Sequence, residues 1–293
     1  MSEKVSFILP SLNEGDNLYK TIKSLCDTST CDYEIIVIDN GSTDGSTDFI
    51  ENGNCDIPTR LFKIANPLGV ARARNFGAAF AEGDIVVFVD AHIVFPYDWI
   101  TPIIEVVQRE DVGIVAPAVS AWGAPGALGF GMHWTDATLN VEWLGKQCED
   151  PYAVPMLPGL CQAFRWDFFH EIDGFDTGMV GYGTEDLEIC LRTWLLGYKV
   201  FIVPEIEISH LFRANAPYDL HWTDTVYNML RATYAHFNSQ RADRVIAEIK
   251  SLPYFREAYN LIRDSDIWSR RRSLEVKRIF DDNWFFDKFG MDF

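Results

Sequence analysis

The feature that most restricts how this chain can fold is an alternation running through its first 118 residues. Short apolar runs, "KVSFILP", "YEIIVID", "RLFKIA", "DIVVFVD" and "VGIVAPA", are separated by stretches with helical spacing. Those stretches are "EGDNLYKTIKSLC", a short piece near Thr47 to Glu51, "GVARARNFGAAFAEG", which stops at Gly83, and "DWITPIIEVVQRE". Leu18, Ile22 and Leu25 mark one face of the first helix, and Asn13 is available as its cap. Strands that are apolar throughout and alternate with helices predict an α/β fold: a mostly parallel sheet covered on both faces. Ligands in such sheets bind beyond the carboxyl ends of the strands. Pro10, Asp39 and Asp90 each end a strand, so all three are expected on one rim.

After about residue 215 the pattern turns helical, with runs at Trp222 to His236, Arg241 to Ser251 and Ile267 to Phe280. This divides the chain into residues 1–215, which carry the sheet, and a helical extension over 216–293. The tail "DDNWFFDKFGMDF" shows no clear period. Val112 to Thr135 carries no Asp, Glu, Lys or Arg and is long enough to span a bilayer. It also holds five glycines and two prolines. Free backbone groups are expensive in lipid, so the expectation is a buried strand over Val112 to Ala118 followed by a flexible loop. No transmembrane segment is expected.

Composition excludes some partners. Lys and Arg number 25 against 43 Asp and Glu, a formal charge of −18. A chain this acidic repels nucleic-acid backbones, and an anionic ligand would need arginines, a helix N-terminus or a metal to hold it. The cysteines at 26, 31, 55, 148, 161 and 190 form no C-x-x-C pair, which indicates neither a zinc cage nor a disulfide framework. The start, "MSEKVSFILP", is too short and too charged for a secretory signal, so a reducing cytoplasm is the expected compartment.

The rim carries polar clusters instead of the usual nucleotide fingerprints. "LPSLNEG" follows the first strand with no G-x-G-x-x-G, and no P-loop exists anywhere. "DNGSTDGS" follows the second strand, Arg72 and Arg74 open the third helix, and "DAH" follows the fourth strand. A carboxylate after the second strand can accept bonds from a ribose or a base N–H, and arginine near a helix start favours a diphosphate. Asp90 and His92, at i and i+2, point the same way on an extended segment and could ligate one divalent ion. Read singly, each has a plainer explanation: Asp39 a turn cap before Gly41, the arginines a solvated face, Asp-x-His a turn. Their common edge favours the functional reading. Further on, Thr184 is placed to cap a helix whose first turn holds Glu185 and Asp186, where the dipole stabilises anions and a general base could sit. His210 ends a later apolar strand, where it is either a core histidine or a third metal ligand.

These residues resemble a family. "VSFILPSLNE", "IIVIDNGSTDGS", "GVARARNFGAAFAEGDIVVFVDAH" and "GYGTEDLEICLRTWLLGYKVFIVPEIEISH" look like family 2 glycosyltransferases of the GT-A fold, over roughly residues 3 to 215. "DAH", "DTGMVGYGTEDLEICLRTW" and "SHLFRANAPY" are similar to the catalytic domain of polypeptide N-acetylgalactosaminyltransferases. The resemblance implies that Asp90, His92 and His210 bind Mn²⁺, with Mg²⁺ less suited because it prefers oxygen to imidazole. It implies that Asp39 contacts the uridine of a UDP-sugar, with Pro10 and Glu14 lining that pocket. Arg74 is implied near the nucleotide or diphosphate, Gly159 in the nucleotide-sugar site, and Glu185 and Asp186 facing sugar and acceptor. Those transferases retain anomeric configuration and carry Glu-Asn at this helix start. Here the pair is Glu-Asp, as in inverting family 2 enzymes, so inversion with Asp186 as base is expected. No C-terminal lectin domain like theirs is expected from these residues.

The acceptor stays open at this point: a peptide Ser, Thr or Cys, a glycan, a lipid-linked sugar or a small metabolite. The glycine-rich stretch from Gly123 to Gly131 and the segment after His210 are expected, by fold analogy, to close over the donor. Trp268, Trp284, Phe285 and Phe286 form an acceptor surface, a homo-oligomer contact or ordinary core, and "SRRRS" at 269–273 is a peripheral membrane contact or a solvated face. Two other classes compete. A nucleotidyltransferase would want a basic residue in "PSLNEGDN", which has none. A non-catalytic sugar-nucleotide-binding module would not need intact "DAH", "ED" and "SH" clusters.

Overall fold

The structure is a computed structural model, and it describes residues 3–53 and 57–293; Cys55 lies outside the described residues. In chain order the first elements are β1 (Lys4–Ser11), α1 (Asp16–Thr28), β2 (Asp32–Asp39), α2 (Asp48–Glu51), β3 (Thr59–Lys63), α3 (Val70–Ala78), β4 (Ile85–Val89) and β5 (Ile93–Val94). Then come α4 (Ile100–Val107), β6 (Val112–Ala121), β7 (Ala124–Gly129), β8 (Met132–Trp134), β9 (Val141–Trp143), β10 (Tyr152–Ala153), β11 (Cys161–Arg165), α5 (Trp166–Glu171), α6 (Glu185–Leu195) and β12 (Lys199–His210). The last are α7 (Trp222–His236), α8 (Ser239–Ile249), α9 (Phe255–Arg263), α10 (Ile267–Lys277) and α11 (Asp282–Phe289).

The main sheet runs β10-β12-β6-β11-β4-β1-β2-β3, with β5 on β12 and β7 on β6. β1 to β4 are mutually parallel where they pair, and β12 is parallel to β6; β11 lies antiparallel between β4 and β6. The strands are apolar throughout because both faces are covered. In β4, Val86 and Phe88 join one buried cluster with Phe164, Phe168 and Ile189. Ile85, Val87 and Val89 join another with Leu18, Ile22, Trp99 and Ile103. Alternate residues of one strand thus serve two cores, as a period of two demands.

The register builds the rim. Pro10 pairs with Ile38 and Ser11 with Asp39, while Ile8 of the same strand pairs with Phe88, two residues before Asp90. Local differences from the sequence reading have local causes. Asn13 does not cap α1; Gly15 holds the N-cap position, and the Asn13 side chain instead accepts from the Thr43 amide at 2.8 Å. The stretch after Ala118 is no flexible loop: β6 continues to Ala121, turns at Gly123 (φ 82°) and pairs antiparallel with β7. Trp143 packs where a Cβ on Gly129 would stand, 2.1 Å from its ring, so glycine there serves packing.

The C-terminal helices are not a loose annex. Leu187 and Ile189 of α6 share one buried cluster with Val226, Leu230, Phe285 and Phe286. Helix α9 falls between the expected helical runs and α11 within the tail that shows no clear period, yet Asp281 accepts from the Trp284 amide and starts α11. Phe285 and Phe286 are fully buried and Trp284 stacks on Phe280 at 3.8 Å, leaving Trp268 as the exposed member of the four aromatics. Arg271 donates to the Tyr234 and Phe237 carbonyls, so part of the arginine run is structural. Among the described residues no helix is long and apolar enough to cross a membrane.

Candidate active site

Strand β4 ends at Val89, and the chain turns through Asp90, Ala91 and His92 before β5. The segment is a turn and not extended, yet both side chains reach one place. Two-residue β5 then pairs antiparallel with the end of β12, setting His210 opposite Ile93. Asp90, His92 and His210 consequently offer ligand atoms within 4.8 Å of one another. The two imidazoles lie 4.7 Å apart between ring centroids, and His210 Nε2 is 3.6 Å from Asp90 Oδ2. One carboxylate and two imidazoles suit a first-row transition metal better than Mg²⁺. His210 Nδ1 is buried without a hydrogen-bond partner among the described residues, so packing alone does not account for that ring. Asp90 sits deep among protein atoms although 31% of its side chain is open at the rim. That depth opposes its charge, but His210, His92 and Arg74 hold its carboxyl at about 2.

Behind the cluster stands Arg74, 3% exposed. It donates to the Gly159 carbonyl at 2.6 Å and to Glu185 Oε1 at 3.2 Å, reaches Asp90 Oδ1 at 3.4 Å, and lies over the Phe175 ring at 5.2 Å. Its guanidinium therefore gathers carboxylates. Arg72 points elsewhere, donating to the Thr177 carbonyl. Glu185 also accepts from the Gly183 amide. Burial and the adjoining Asp186 carboxylate push Glu185 upward against the pull of Arg74. Burial raises Asp186 as well. Both Asp186 oxygens accept backbone bonds at 2.9 Å, Oδ2 from Gly159 and Oδ1 from Leu187. Thr184 occupies the N-cap position of α6 but makes no side-chain cap; it adopts φ 75°, a strained conformation for a β-branched residue.

Asp39 is 2% exposed and shapes the turn after β2, accepting from the Ser42 amide at 2.8 Å and the Thr47 hydroxyl at 3.2 Å. Buried Ser11 and Ser46 hydroxyls make no hydrogen bond among the described residues. Pro10 precedes Ser11 on the rim. Glu14 approaches His92 Nδ1 at 3.2 Å and forms an ion pair with Arg213. Burial opposes its charge, but His92 and Arg213 hold its carboxyl below the usual range. Arg213 thus belongs to the site, and so do Tyr182 and Tyr218, whose hydroxyls are pushed up by burial and nearby carboxylates including Asp90. Sequence reading singled out none of these three. For Arg213 the available signal was its place three residues after His210.

Comparison with known proteins adds the following. Residues 6–173 match glycosyl transferase family 2, and residues 145–215 match the N-terminal domain of galactosyltransferase. Polypeptide N-acetylgalactosaminyltransferase 4 of Mus musculus is 30% identical over 236 residues, 73% of this chain and 40% of that protein. Probable N-acetylgalactosaminyltransferase 9 of Caenorhabditis elegans is 30% identical over 166 residues, 52% of this chain and 29% of that protein. The chain spans two fifths or less of the length of these relatives. The crystal structure of GalNAc-T7 with UDP, GalNAc and Mn²⁺ aligns at TM-score 0.79 and 21% identity, over 99% of this chain and 57% of that one. A mannosyltransferase from Pyrobaculum calidifontis, in complex with GDP-Man and Mn²⁺, aligns at TM-score 0.57 and 16% identity, over 94% of this chain and 75% of that one. The fold is the GT-A arrangement that the motifs imply.

Proposed function

We propose a function from one premise: the chain belongs to glycosyl transferase family 2. It is a Mn²⁺-dependent glycosyltransferase that moves a sugar from a UDP-sugar to a hydroxyl acceptor. The observation that carries this reading is the convergence of Asp90, His92 and His210 beside Glu185 and Asp186 at the carboxyl rim of the sheet. UDP and Mn²⁺ are supported by the aligned GalNAc-T7 structure, and N-acetylgalactosamine with a peptide Ser or Thr acceptor by the polypeptide transferase relatives. The acidic chain then needs no basic loop for its donor.

Asp90, His92 and His210 would hold the cation, which when bound offsets charge on the departing diphosphate. Arg74 keeps Asp90 and Glu185 in fixed relation and stops three neighbouring carboxylates from repelling one another apart. Gly159 lets that guanidinium lie against the backbone. Asp39 and the buried Ser11 and Ser46 hydroxyls would form a polar floor for the uridine. Residues 1–215 carry all of these groups, and the 216–293 helices brace α6 from behind.

The inversion expected from the Glu-Asp pair is not supported. The relatives are polypeptide N-acetylgalactosaminyltransferases, and Asp186 already gives both oxygens to backbone amides. Retention is the reading we adopt. The test is a donor screen with Mn²⁺ that reads UDP release, followed by mass spectrometry of Ser/Thr peptides. UDP-N-acetylgalactosamine is expected to turn over fastest. No UDP release from any UDP-sugar would overturn the proposal.

A further inference from the structure

Glu14 is a buried carboxylate to which the proposed function gives no task. It follows β1 on the rim and is 7% exposed, yet its side chain turns toward the cation cluster. Oε1 lies 3.2 Å from His92 Nδ1, and Arg213 occupies the same carboxylate through both of its terminal nitrogens. The His92 contact is close but off-axis, since Nδ1 has no well-directed hydrogen bond among the described residues. A buried imidazole nitrogen facing a carboxylate keeps its proton there. A cation binds through the other nitrogen, the one without a proton. Carboxylates placed this way behind a ligating histidine fix its tautomer and raise its basicity.

We propose that Glu14 is the positioning residue for His92: it holds the proton on Nδ1 and so leaves Nε2 for the divalent cation. The inference rests on the cation reading above, and it adds a residue from the segment after β1 to a site otherwise built from the turn between β4 and β5 and the end of β12. Arg213 makes the placement firmer, because its guanidinium holds both carboxylate oxygens, including the Oε1 that faces His92, and ties the segment after β12 to the same point. A purely structural latch between Glu14 and Arg213 would need no imidazole at 3.2 Å.

Two measurements on the full chain decide it. The first is ¹⁵N-histidine NMR without metal and with the imidazoles neutral, the His92 signals being assigned by their loss in His92→Ala. The Nδ1–H tautomer is expected in the wild type, and a shift toward the Nε2–H form in Glu14→Ala. The second is calorimetric titration with Mn²⁺ alone. Glu14→Ala should bind about 10–100-fold more weakly, and Glu14→Gln, which keeps an accepting oxygen, should recover most of that loss. An Nε2–H tautomer in the wild type, or Mn²⁺ affinity unchanged in Glu14→Ala, overturns the proposal. Should Glu14→Ala fail to fold, the wild-type tautomer decides alone. Mn²⁺ binding that survives in Asp90→Ala would instead count against the cation site itself.

Discussion

Gly159 and Arg74 are packed so closely that a methyl group on the glycine would lie 2.9 Å from one terminal guanidinium nitrogen and 3.0 Å from the other. The same Cβ would stand 3.0 Å from the Asp186 Cβ. Arg74 cannot swing clear, because it is buried among Glu185, Asp90 and the Phe175 ring. Gly159→Ala should therefore keep its fold at a cost of about 1–3 kcal/mol. Displacement of the carboxylates by a fraction of an ångström should lower kcat about 10–100-fold. Chemical denaturation and steady-state kinetics check the two halves. Wild-type kcat would mean that Arg74 does not set the geometry of the site.

Asp186→Asn separates the two stereochemical courses. Loss of a general base costs roughly 10²–10⁴-fold in rate. Asn keeps one accepting oxygen and gives up the other backbone bond, a loss in stability, but if Asp186 takes no proton turnover should stay within about tenfold of wild type. NMR of the first-formed glycoside should show the anomeric configuration of the donor. A collapse in rate together with an inverted product would restore Asp186 as base.

His210→Ala should abolish Mn²⁺-dependent UDP binding, a loss of more than about 100-fold by calorimetry, since a ligand matters more than the groups behind it. The variant also removes the imidazole facing Asp90 at 3.6 Å and its packing on Phe212, so the melting temperature without metal should fall modestly while the chain stays folded. Treatment of the wild type with EDTA should reproduce the loss, and added Mn²⁺ should reverse it. Unchanged UDP affinity in the variant would make His210 a core residue.

Behind the site, Glu188 is fully buried between Arg192, at 2.9 Å, and His236, at 2.8 Å. Burial opposes its charge, but Arg192 and His236 hold it well below the usual carboxylate range. Burial likewise lowers His236, against the pull of Glu188. Both groups bind protons less readily folded than unfolded, so both stabilise at high pH and lose that contribution on acidification. The His236 share should fade below about 6.5, the unfolded imidazole value, and the Glu188 share below about 4.3. Urea unfolding across pH should show His236→Gln with a shallower decline between about pH 7 and 5. Equal slopes would rule this out. Glu188→Ala, which strands Arg192, should cost about 3–5 kcal/mol.

Much of this was legible before any coordinates because the rim is a topological consequence. Strand–helix alternation alone puts Pro10, Asp39 and Asp90 at strand ends, and the register of β1 with β2 and β4 has them there. His210 is different. Its place at a strand end leaves it either a core histidine or a metal ligand, and the family resemblance decides between them by joining it to Asp90 and His92, 118 residues or more earlier in the chain. Helix α11 escaped because its buried aromatics face several neighbours at once, which erases the period. The β6–β7 hairpin hid behind glycines that serve a turn and the Trp143 ring. Thr184 looked like a cap, but its positive φ turns the hydroxyl to no such use. Glu188 and Arg192, four apart on α6, form a buried pair that the sequence reading did not single out.

Strand β5 is two residues long, and its pairing joins the turn that carries Asp90 and His92 to the end of β12, which β6 holds from the other side as far as His210. So brief a ladder gives that junction few bonds of its own. An ion that binds only the closed form would stabilise it by mass action, rising with the logarithm of its concentration. Manganese would then work as a clasp on the last seam of the sheet, and the melting temperature of the chain would track how much of the metal is free in solution.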